Sequence, residues 1–501
     1  MANPLFARKP LAMLLQEMEG ENRLRRVLGP FQLTSLGIGA VIGTGIFVLT
    51  GVAAHDRTGP ALMLSFVAAG IACIFAALCY SEFASMVPVA GSAYTYAYAT
   101  LGELFAWIIG WDLILEYAVA SATVAHGWSK NFQDLLAIFG VHLPKAIANS
   151  PIDYDPALGR IVSTGSLLDL PAILIALAVT WILVIGIKES ASFNTAIVGI
   201  KVAIVLFVIV VGAFYVNPEN WRPFAPFGYT GISFFGKTLF GQTGVGGEPL
   251  GVLAGAAVIF FAYIGFDSIS THAEEAKNPR RDVPIGIIAS LIICTILYIA
   301  VAGILTGMVP YKEINIETPV SDAFRRAGLP WARLLVTLGA VSGITSVLLV
   351  MMLSQPRVWL AMARDGLFSP KFFGAVHEKY RTPWKATLLT GGVVALGAAF
   401  LPLRILADLT NIGTLFAFTV VCAAVLIMRV KHPEAERPFR APLYPLVPIL
   451  GIVTCLILMF SLAPENWWRL FAWLGIGLVI YFSYGRHHSV LARMRAEQEK
   501  K

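Results

Sequence analysis

The sequence predicts an all-α integral membrane protein with 12 transmembrane helices. Of its 501 residues, 57% are hydrophobic and 13% are charged, whereas about a quarter of the residues of a soluble domain carry charge. Apolar runs of about 20 residues recur along the whole chain, and a helix needs about that many residues to cross a bilayer core of roughly 30 Å. The predicted spans are residues 31–54, 60–87, 93–125, 167–187, 192–216, 250–273, 284–309, 331–363, 383–401, 404–430, 443–461 and 466–485.

The distribution of charge predicts the side of the membrane that each loop faces. Residues 1–30 are polar and basic and lack the apolar core of a signal peptide, so we expect a cytoplasmic N-terminal segment. Residues 31–485 form one predicted transmembrane domain, with helices 11 and 12 in residues 443–485, and residues 486–501 form a cytoplasmic tail.

With both termini inside a plasma membrane, the inward segments hold about twice as many Lys and Arg residues as the outward segments, which is the positive-inside bias. This bias explains the net charge of +7 without a nucleic-acid partner.

Motifs typical of enzymes, cofactor sites and metal sites are missing from the sequence. All five cysteines lie in predicted spans without a CxxC pair, so no disulfide framework or metal site is predicted. The glycines that follow Gly37 do not have the spacing of a nucleotide-binding loop, and there is no HExxH motif. The sequence therefore predicts neither an enzyme nor a cofactor.

Two predicted spans are interrupted near their middle. The first contains Gly43-Thr44-Gly45, and the sixth contains Phe261 to Gly265 followed by Asp267. If residues 31–216 and 250–430 are inverted repeats, the interruptions occupy equivalent positions and indicate a binding site at the membrane midplane. A broken helix presents free N–H groups to an anion such as an α-carboxylate. Close packing of helices remains an alternative explanation for the first glycines.

Two charged side chains lie deep in predicted spans. Glu116 in span 3 has apolar neighbours, and a carboxyl group there can exchange protons or meet a cationic group of a substrate. Asp112, one turn earlier, is expected at the membrane interface, which is also the alternative position for Glu116. Lys201 lies too deep in span 5 to snorkel easily to an interface. Its ammonium can replace a bound sodium ion or take up and release a proton.

Further polar residues carry weaker signals. Thr345 and Ser346 in span 8 can accept hydrogen bonds from Lys201 if the two helices are adjacent, although such hydroxyls commonly bond to their own helix. His126 is expected to pack near the outer end of span 3. The charged run from Glu274 to Pro284 is expected to form a cytoplasmic turn with ion pairs on the inward face.

Four stretches of the sequence match the pattern of a known family. They are IGAVIGTGIFVLTG (38–51), GSAYTYAYATLGELFAWIIGWDLILEY (91–117), IGFDSISTHAEEAKNPRRDVPIGI (264–287) and MARDGLFSPKF (362–372). Together they resemble the cationic amino acid transporter family of the amino acid, polyamine and organocation superfamily. Animal members have more spans than the twelve predicted here, so the chain is most similar to bacterial members, which include carriers of small neutral amino acids.

The resemblance implies a five-plus-five inverted-repeat fold in which unwound helices 1 and 6 hold the substrate. The carboxylate of the substrate would lie against Ile42, Gly43, Thr44 and Gly45, and its amine against the backbone at Phe261, Ala262 and Ile264.

The resemblance also implies roles for five side chains. Phe261 would gate the site, Asp267 would act in gating toward the inside, and Met351 would contact the side chain of the substrate. Glu116 matches an acidic residue of helix 3. Lys201 matches the lysine that, in proton-coupled relatives, replaces a sodium ion between helices 1, 5 and 8.

The expected activity is amino-acid transport by alternating access, as symport of small neutral or cationic amino acids with protons. An exchanger of cationic amino acids without proton coupling is the alternative within this class. A membrane sensor or channel is the alternative from another class, and the symmetric interruptions argue against a simple pore. A small membrane partner subunit is left open.

Overall fold

The computed structural model describes residues 6–10, 28–87, 92–155, 160–186, 191–234, 237–380 and 382–498, and these residues are mainly α-helical. Most of the predicted cytoplasmic segment 1–30 lies outside the described residues. The longer helices are α1 (Pro30–Val41), α2 (Leu62–Met86), α3 (Ser92–Thr100), α4 (Glu103–Ile138), α5 (Leu170–Ile185), α6 (Ala191–Ala213), α7 (Val252–Ile259), α8 (Pro279–Met308), α9 (Pro319–Arg326), α10 (Pro330–Arg364), α11 (Trp384–Phe400), α12 (Leu403–Lys431), α13 (Leu446–Phe460) and α14 (Pro464–Ile480).

Short elements complete the described chain. Single helical turns occupy Thr50–Ala53, Ser268–Thr271 and Arg486–His488, and a terminal helix occupies Val490–Gln498. The strands form two-stranded antiparallel hairpins: β1 (Ile152–Asp155) with β2 (Arg160–Ser163), β3 (Ile232–Phe234) with β4 (Lys237–Phe240), and β5 (Gln242–Thr243) with β6 (Pro249–Leu250). All of these hairpins lie in loops between helices.

Seven helical stretches in the described residues are long and apolar enough to cross a membrane. They are Gly45–Met86, Glu103–Ile138, Thr195–Ala213, Val252–Thr271, Pro279–Met308, Pro330–Arg364 and Leu403–Lys431. Leu446–Phe460 and Pro464–Met494 pass the same test as a pair bent by 112°, and two further apolar helices, α5 and α11, are shorter. The predicted total of twelve spans stays a prediction.

The third predicted span, residues 93–125, is wrong in its bounds. The helix breaks after Thr100, and α4 then continues to Ile138. Gly102 causes the break because it has a φ of 107°, a backbone conformation that favours glycine. A Cβ atom at Gly102 would lie 2.6 Å from the backbone of Phe6. The break forms a corner between α3 and α4, and apolar composition alone does not predict it.

The N-terminal residues 6–10 lie against that corner. The carbonyl of Ala7 accepts a hydrogen bond from the amide of Glu103 at 2.9 Å. The ammonium of Lys9 bonds to Asp365 at 2.8 Å, and the other oxygen of Asp365 accepts from Tyr94 at 2.6 Å. These contacts tie the N-terminal residues to α3, α4 and the end of α10.

Both predicted helix interruptions are present. After α1 the backbone is extended at Ile42, with φ −74° and ψ 104°, and helical structure resumes at Gly45. After α7 a short 3₁₀ turn, Phe260–Tyr263, is followed by extended backbone at Ile264. Gly265 then has a φ of 121°, and a Cβ atom there would lie 2.8 Å from the carbonyl oxygen of Ala40. The two interruptions therefore face each other.

Ion pairs form at the end of the molecule predicted to face the cytoplasm. Arg280 bonds to Glu436 at 3.0 Å, and Arg357 lies 3.7 Å from Glu275. The expected ion pairing of the charged run is therefore present. The side chain of Glu274 lies outside the described residues.

Glu82, near the end of α2, is the most deeply buried member of a second ionic cluster. Its carboxylate is 2% exposed and accepts two hydrogen bonds from Arg429, at 2.9 and 2.5 Å. It also accepts from the amide of Ala441 at 2.8 Å and lies 3.4 Å from Arg437. One carboxylate therefore balances two guanidinium groups and fixes the loop after α12.

Glu82→Gln should lower the free energy of unfolding by about 3 kcal/mol, because removing one partner leaves buried charges uncompensated. The measurement is thermal unfolding of the purified protein in detergent. Glu434→Gln is the matched control because that carboxylate is 71% exposed and contacts only His432 among the described ion pairs. A melting temperature of Glu82→Gln equal to that of the control would contradict this assignment.

Candidate functional site

The two helix interruptions touch at the centre of the site. A Cβ atom at Gly45 would lie 2.4 Å from the Cα atom of Ala262, and one at Gly43 would lie 2.6 Å from the side chain of Val347 on α10. Small residues are therefore required on the α1 side for the backbones to approach so closely. The packing explanation and the binding explanation of these glycines are both compatible with this contact.

The broken backbone leaves polar groups without partners. In the described part of the chain, the amides of Gly43, Thr44 and Gly45 donate to no acceptor, and the hydroxyl of Thr44 is buried without a hydrogen bond. These amides begin a helical segment, so they form a positive end that favours an anion. The opposing turn, Phe260–Tyr263, ends in carbonyl groups, which favour a cation. The arrangement matches the two charged ends of a zwitterion.

Lys201 connects α6 to the interruption of α1. Its ammonium donates to the carbonyl of Gly39 at 2.7 Å and to that of Ile42 at 3.3 Å, and its residue is 1% exposed. A Cβ atom at Gly343 on α10 would lie 3.5 Å from its side chain. Lys201 thus lies among α1, α6 and α10, which correspond to predicted helices 1, 5 and 8.

Thr345 and Ser346 do not receive the hydrogen bonds expected from Lys201. Thr345 instead accepts from the indole of Trp128 at 2.8 Å and donates to Val341 at 2.7 Å. The hydroxyl of Ser346 is buried and has no hydrogen-bond partner among the described residues. The physical reason is that the break in α1 frees the carbonyls of Gly39 and Ile42, and the ammonium of Lys201 donates to these carbonyls instead.

Glu116 is 2% exposed, and among the described residues neither of its carboxyl oxygens forms a hydrogen bond. Asp112 is also buried without a partner, at 0% exposure, and lies against Gly413 of α12. The expected interfacial position of Asp112 stays a prediction, but its carboxyl group is covered by α12 and is not exposed at a helix end. Two unpaired carboxyl groups lie on one face of this helix.

Asp267 lies just beyond the interruption of α7. Its carboxyl group accepts from the hydroxyl of Tyr117 at 3.1 Å and from the amide of Gly265 at 3.2 Å, and the residue is 1% exposed. Asp267 therefore links the broken segment to α4 directly beside Glu116. Sequence reasoning did not identify Tyr117, whose neighbour Glu116 was the only signal.

Met351 projects from α10 between two contacts with the site. One turn before it, Val347 meets Gly43, and one turn after it, Gln355 donates to the carbonyl of Ile114 at 3.0 Å. Met351 is 2% exposed. Its place between the α1 interruption and α4 fits a side chain that lines a substrate site.

Asn411 is another residue that sequence reasoning missed. Its amide group donates to the carbonyls of Ala257 and Val258 at 2.8 and 2.9 Å. It thereby holds the end of α7 against α12. An amide side chain in a strongly apolar predicted span was the available signal.

The site is closed from both ends of the molecule. Ile42, Phe261 and Ala262 are all at most 5% exposed. At the opposite end from Glu82, Lys130 bonds to Glu317 at 2.8 Å. Arg333 pairs with Asp134, and His126 is a packed residue 3.4 Å from Asp169. The residues at both interruptions are therefore buried in the described conformation.

Comparisons with known proteins agree with this architecture. A family model described as Amino acid permease matches residues 28–481. The methylthioribose transporter of Bacillus subtilis (strain 168) is 46% identical over 487 residues, which cover 97% of this chain and 99% of that protein. The branched-chain amino acid permease of the same organism is 47% identical over 492 residues, which cover 98% of this chain and 100% of that protein.

A plant relative is more distant. The vacuolar cationic amino acid transporter 4 of Arabidopsis thaliana is 39% identical over 436 residues, which cover 86% of this chain and 68% of that protein. These relatives are permeases and transporters and not enzymes. Because the family model covers most of the chain, this multi-pass membrane protein belongs to the amino acid permease family of the amino acid, polyamine and organocation superfamily.

Proposed function

We propose that the protein carries small neutral amino acids across the plasma membrane by alternating access and couples their uptake to protons. The observation that carries this proposal is the contact between the two broken helices, where unpaired amides of Gly43 to Gly45 face the carbonyl end of Phe260–Tyr263. The α-carboxylate would bind the amides and the α-amine would bind the carbonyls. Both termini would lie in the cytoplasm.

The residues that line the site favour a substrate with a neutral side chain. Ile42, Val347 and Met351 are apolar and buried around the α1 interruption, and Phe261 lies at the other interruption. An apolar pocket selects by size and excludes a charge that it cannot pair. The name of one relative, a branched-chain amino acid permease, is consistent with a neutral amino acid that has an apolar side chain.

Lys201 would couple the uptake of the amino acid to protons. Its ammonium holds carbonyls of Gly39 and Ile42 at the point where α1 breaks. Loss of its proton would remove the charge that holds them, so protonation and the position of the α1 interruption are linked. Transport follows if the substrate and the proton favour the same conformation.

A second candidate function is exchange of cationic amino acids. The buried, unpaired carboxyl group of Glu116 favours it, since a cationic side chain could supply the missing partner. The name of the Arabidopsis relative is in line with this alternative. Glu116 would then bind the side chain of the substrate, whereas the first proposal assigns the coupling to Lys201.

Uptake by proteoliposomes separates these functions. Labelled leucine, alanine and arginine are offered with and without an inward proton gradient, with unlabelled amino acid or methylthioribose as competitor. Accumulation of leucine or alanine that requires the gradient is expected. Arginine uptake that requires internal counter-substrate would instead establish the cationic exchanger, and competition by methylthioribose alone would overturn the assignment of an amino acid.

Lys201→Ala should abolish proton-driven accumulation, because the charge that links the proton to α1 is lost. The measurement is uptake of the preferred amino acid across a range of proton gradients. Lys312→Ala is the control, since Lys312 is exposed in a loop. Full gradient-driven uptake by Lys201→Ala would remove the lysine from the coupling mechanism.

Met351→Ser should admit longer side chains, because it shortens a buried residue beside the α1 interruption. The readout is the competition profile for a series of neutral amino acids of increasing length. Met352→Ser is the control, since Met352 is equally buried but is the next residue along the helix and points in a different direction. An unchanged profile for Met351→Ser would place it outside the pocket.

A further inference from the structure

A groove of about 660 Å³ opens on the outer surface of the protein, beside the N-terminal half of α8. It shares no lining residue with the central site described above. Its lining includes Arg280, Arg281, Ile285, Ile288, Ile292 and Phe439. Ile285 and Ile292 are 40% and 47% exposed, so this face of the helix is apolar and uncovered in the described chain.

The groove is basic at one end only. Arg281 is exposed, and in the described part of the chain its guanidinium forms no ion pair or hydrogen bond, although its backbone amide donates to the carbonyl of Asn278 at 3.1 Å. Arg280 bonds to Glu436 at 3.0 Å, but both side chains are more than half exposed, so the pair is weak and exchangeable. The neighbouring Asp282 is buried and accepts from the amide of Asn278 at 3.1 Å. The mouth of the groove thus offers two guanidinium groups to an anion.

The length of the groove matches one leaflet of a membrane. At a rise of about 1.5 Å per residue, α8 is about 45 Å long and exceeds a hydrocarbon core of roughly 30 Å. The same rise places Ile292 about 16 Å along the helix from Arg281, which is close to half of that core. The arginines therefore lie at the level of lipid headgroups when the isoleucines lie at the level of the acyl chains.

We propose that this groove binds one anionic phospholipid. Arg280 and Arg281 hold the phosphate, which guanidinium groups recognise through paired hydrogen bonds. One acyl chain lies along Ile285, Ile288 and Ile292. A basic pocket at the end of a membrane helix, continued by an apolar groove, is complementary to a charged headgroup with its attached chain. This inference is independent of the transported substrate.

Native mass spectrometry of the purified full-length protein tests the proposal. The protein is offered phosphatidylglycerol or phosphatidylcholine in equal amounts, and the bound lipid is counted. We expect retention of one phosphatidylglycerol with at least tenfold preference over phosphatidylcholine. The double variant Arg280→Gln/Arg281→Gln should lose that preference. The double variant Lys371→Gln/Lys379→Gln removes the same charge from exposed residues at the same end of the protein and should keep it.

Two further measurements complete the test. The first distinguishes binding of a lipid from binding of a free anion, and the second tests whether the apolar groove contributes in addition to the arginine charges. Glycerol phosphate in excess should not displace phosphatidylglycerol, because it lacks the chain that fills the groove. Ala289→Phe, which narrows the groove without changing charge, should weaken retention at least tenfold. If Ala289→Phe does not fold, the arginine variant decides alone. Displacement by glycerol phosphate, or undiminished retention by Arg280→Gln/Arg281→Gln, would overturn the proposal and leave a partner helix as the occupant.

Discussion

The structure depends on the direct contact of two interrupted backbones. Gly45 meets Ala262, and Gly265 meets Ala40, in each case too closely for a larger residue on the glycine side. In a membrane interior, every unpaired backbone group must find a partner in the protein or in a ligand. The contact therefore concentrates unpaired amides and carbonyls at one point, and the ammonium of Lys201 satisfies two of these carbonyls. In the described residues, the amides of Gly43 to Gly45 remain without an acceptor.

Much of the fold could be predicted because hydrophobic length and glycine position are local properties. Span 8, predicted at residues 331–363, corresponds to Pro330–Arg364, and both helix interruptions lie where glycine weakens an apolar run. The corner at Gly102 could not be predicted in this way, since the glycine is required there by its positive φ and by the close approach of the distant backbone of Phe6. The composition of a segment predicts whether it lies in the membrane or in water, but it does not predict which other segments it contacts.

The same distinction applies to the candidate site: its charged residues could be predicted from the sequence, but their partners could not. The residue types of Glu116 and Lys201 identify them without a structure, because charge is costly in a membrane wherever it occurs. Their partners depend on tertiary contacts. Thr345 is engaged by Trp128, and Asp112 is covered by α12 near Gly413. Neither of these two contacts can be predicted from the spacing of residues in the sequence. Asn411 and Tyr117, which secure the α7 interruption, escaped notice because single polar residues in helices are common.

The attachment of residues 6–10 has a consequence for how the chain is assembled. Ala7 and Lys9 are synthesised early, but Lys9 pairs with Asp365, which is synthesised only after most of the chain has been made. The ion pair between Lys9 and Asp365 can therefore form only after α10 has been synthesised. The other end of the described chain reaches the same place, because the amide of Val490 donates to the carbonyl of Asp365 at 3.0 Å and the hydroxyl of Ser489 donates to the carboxylate of Glu103. Contacts from both ends of the described chain are therefore needed to complete this corner.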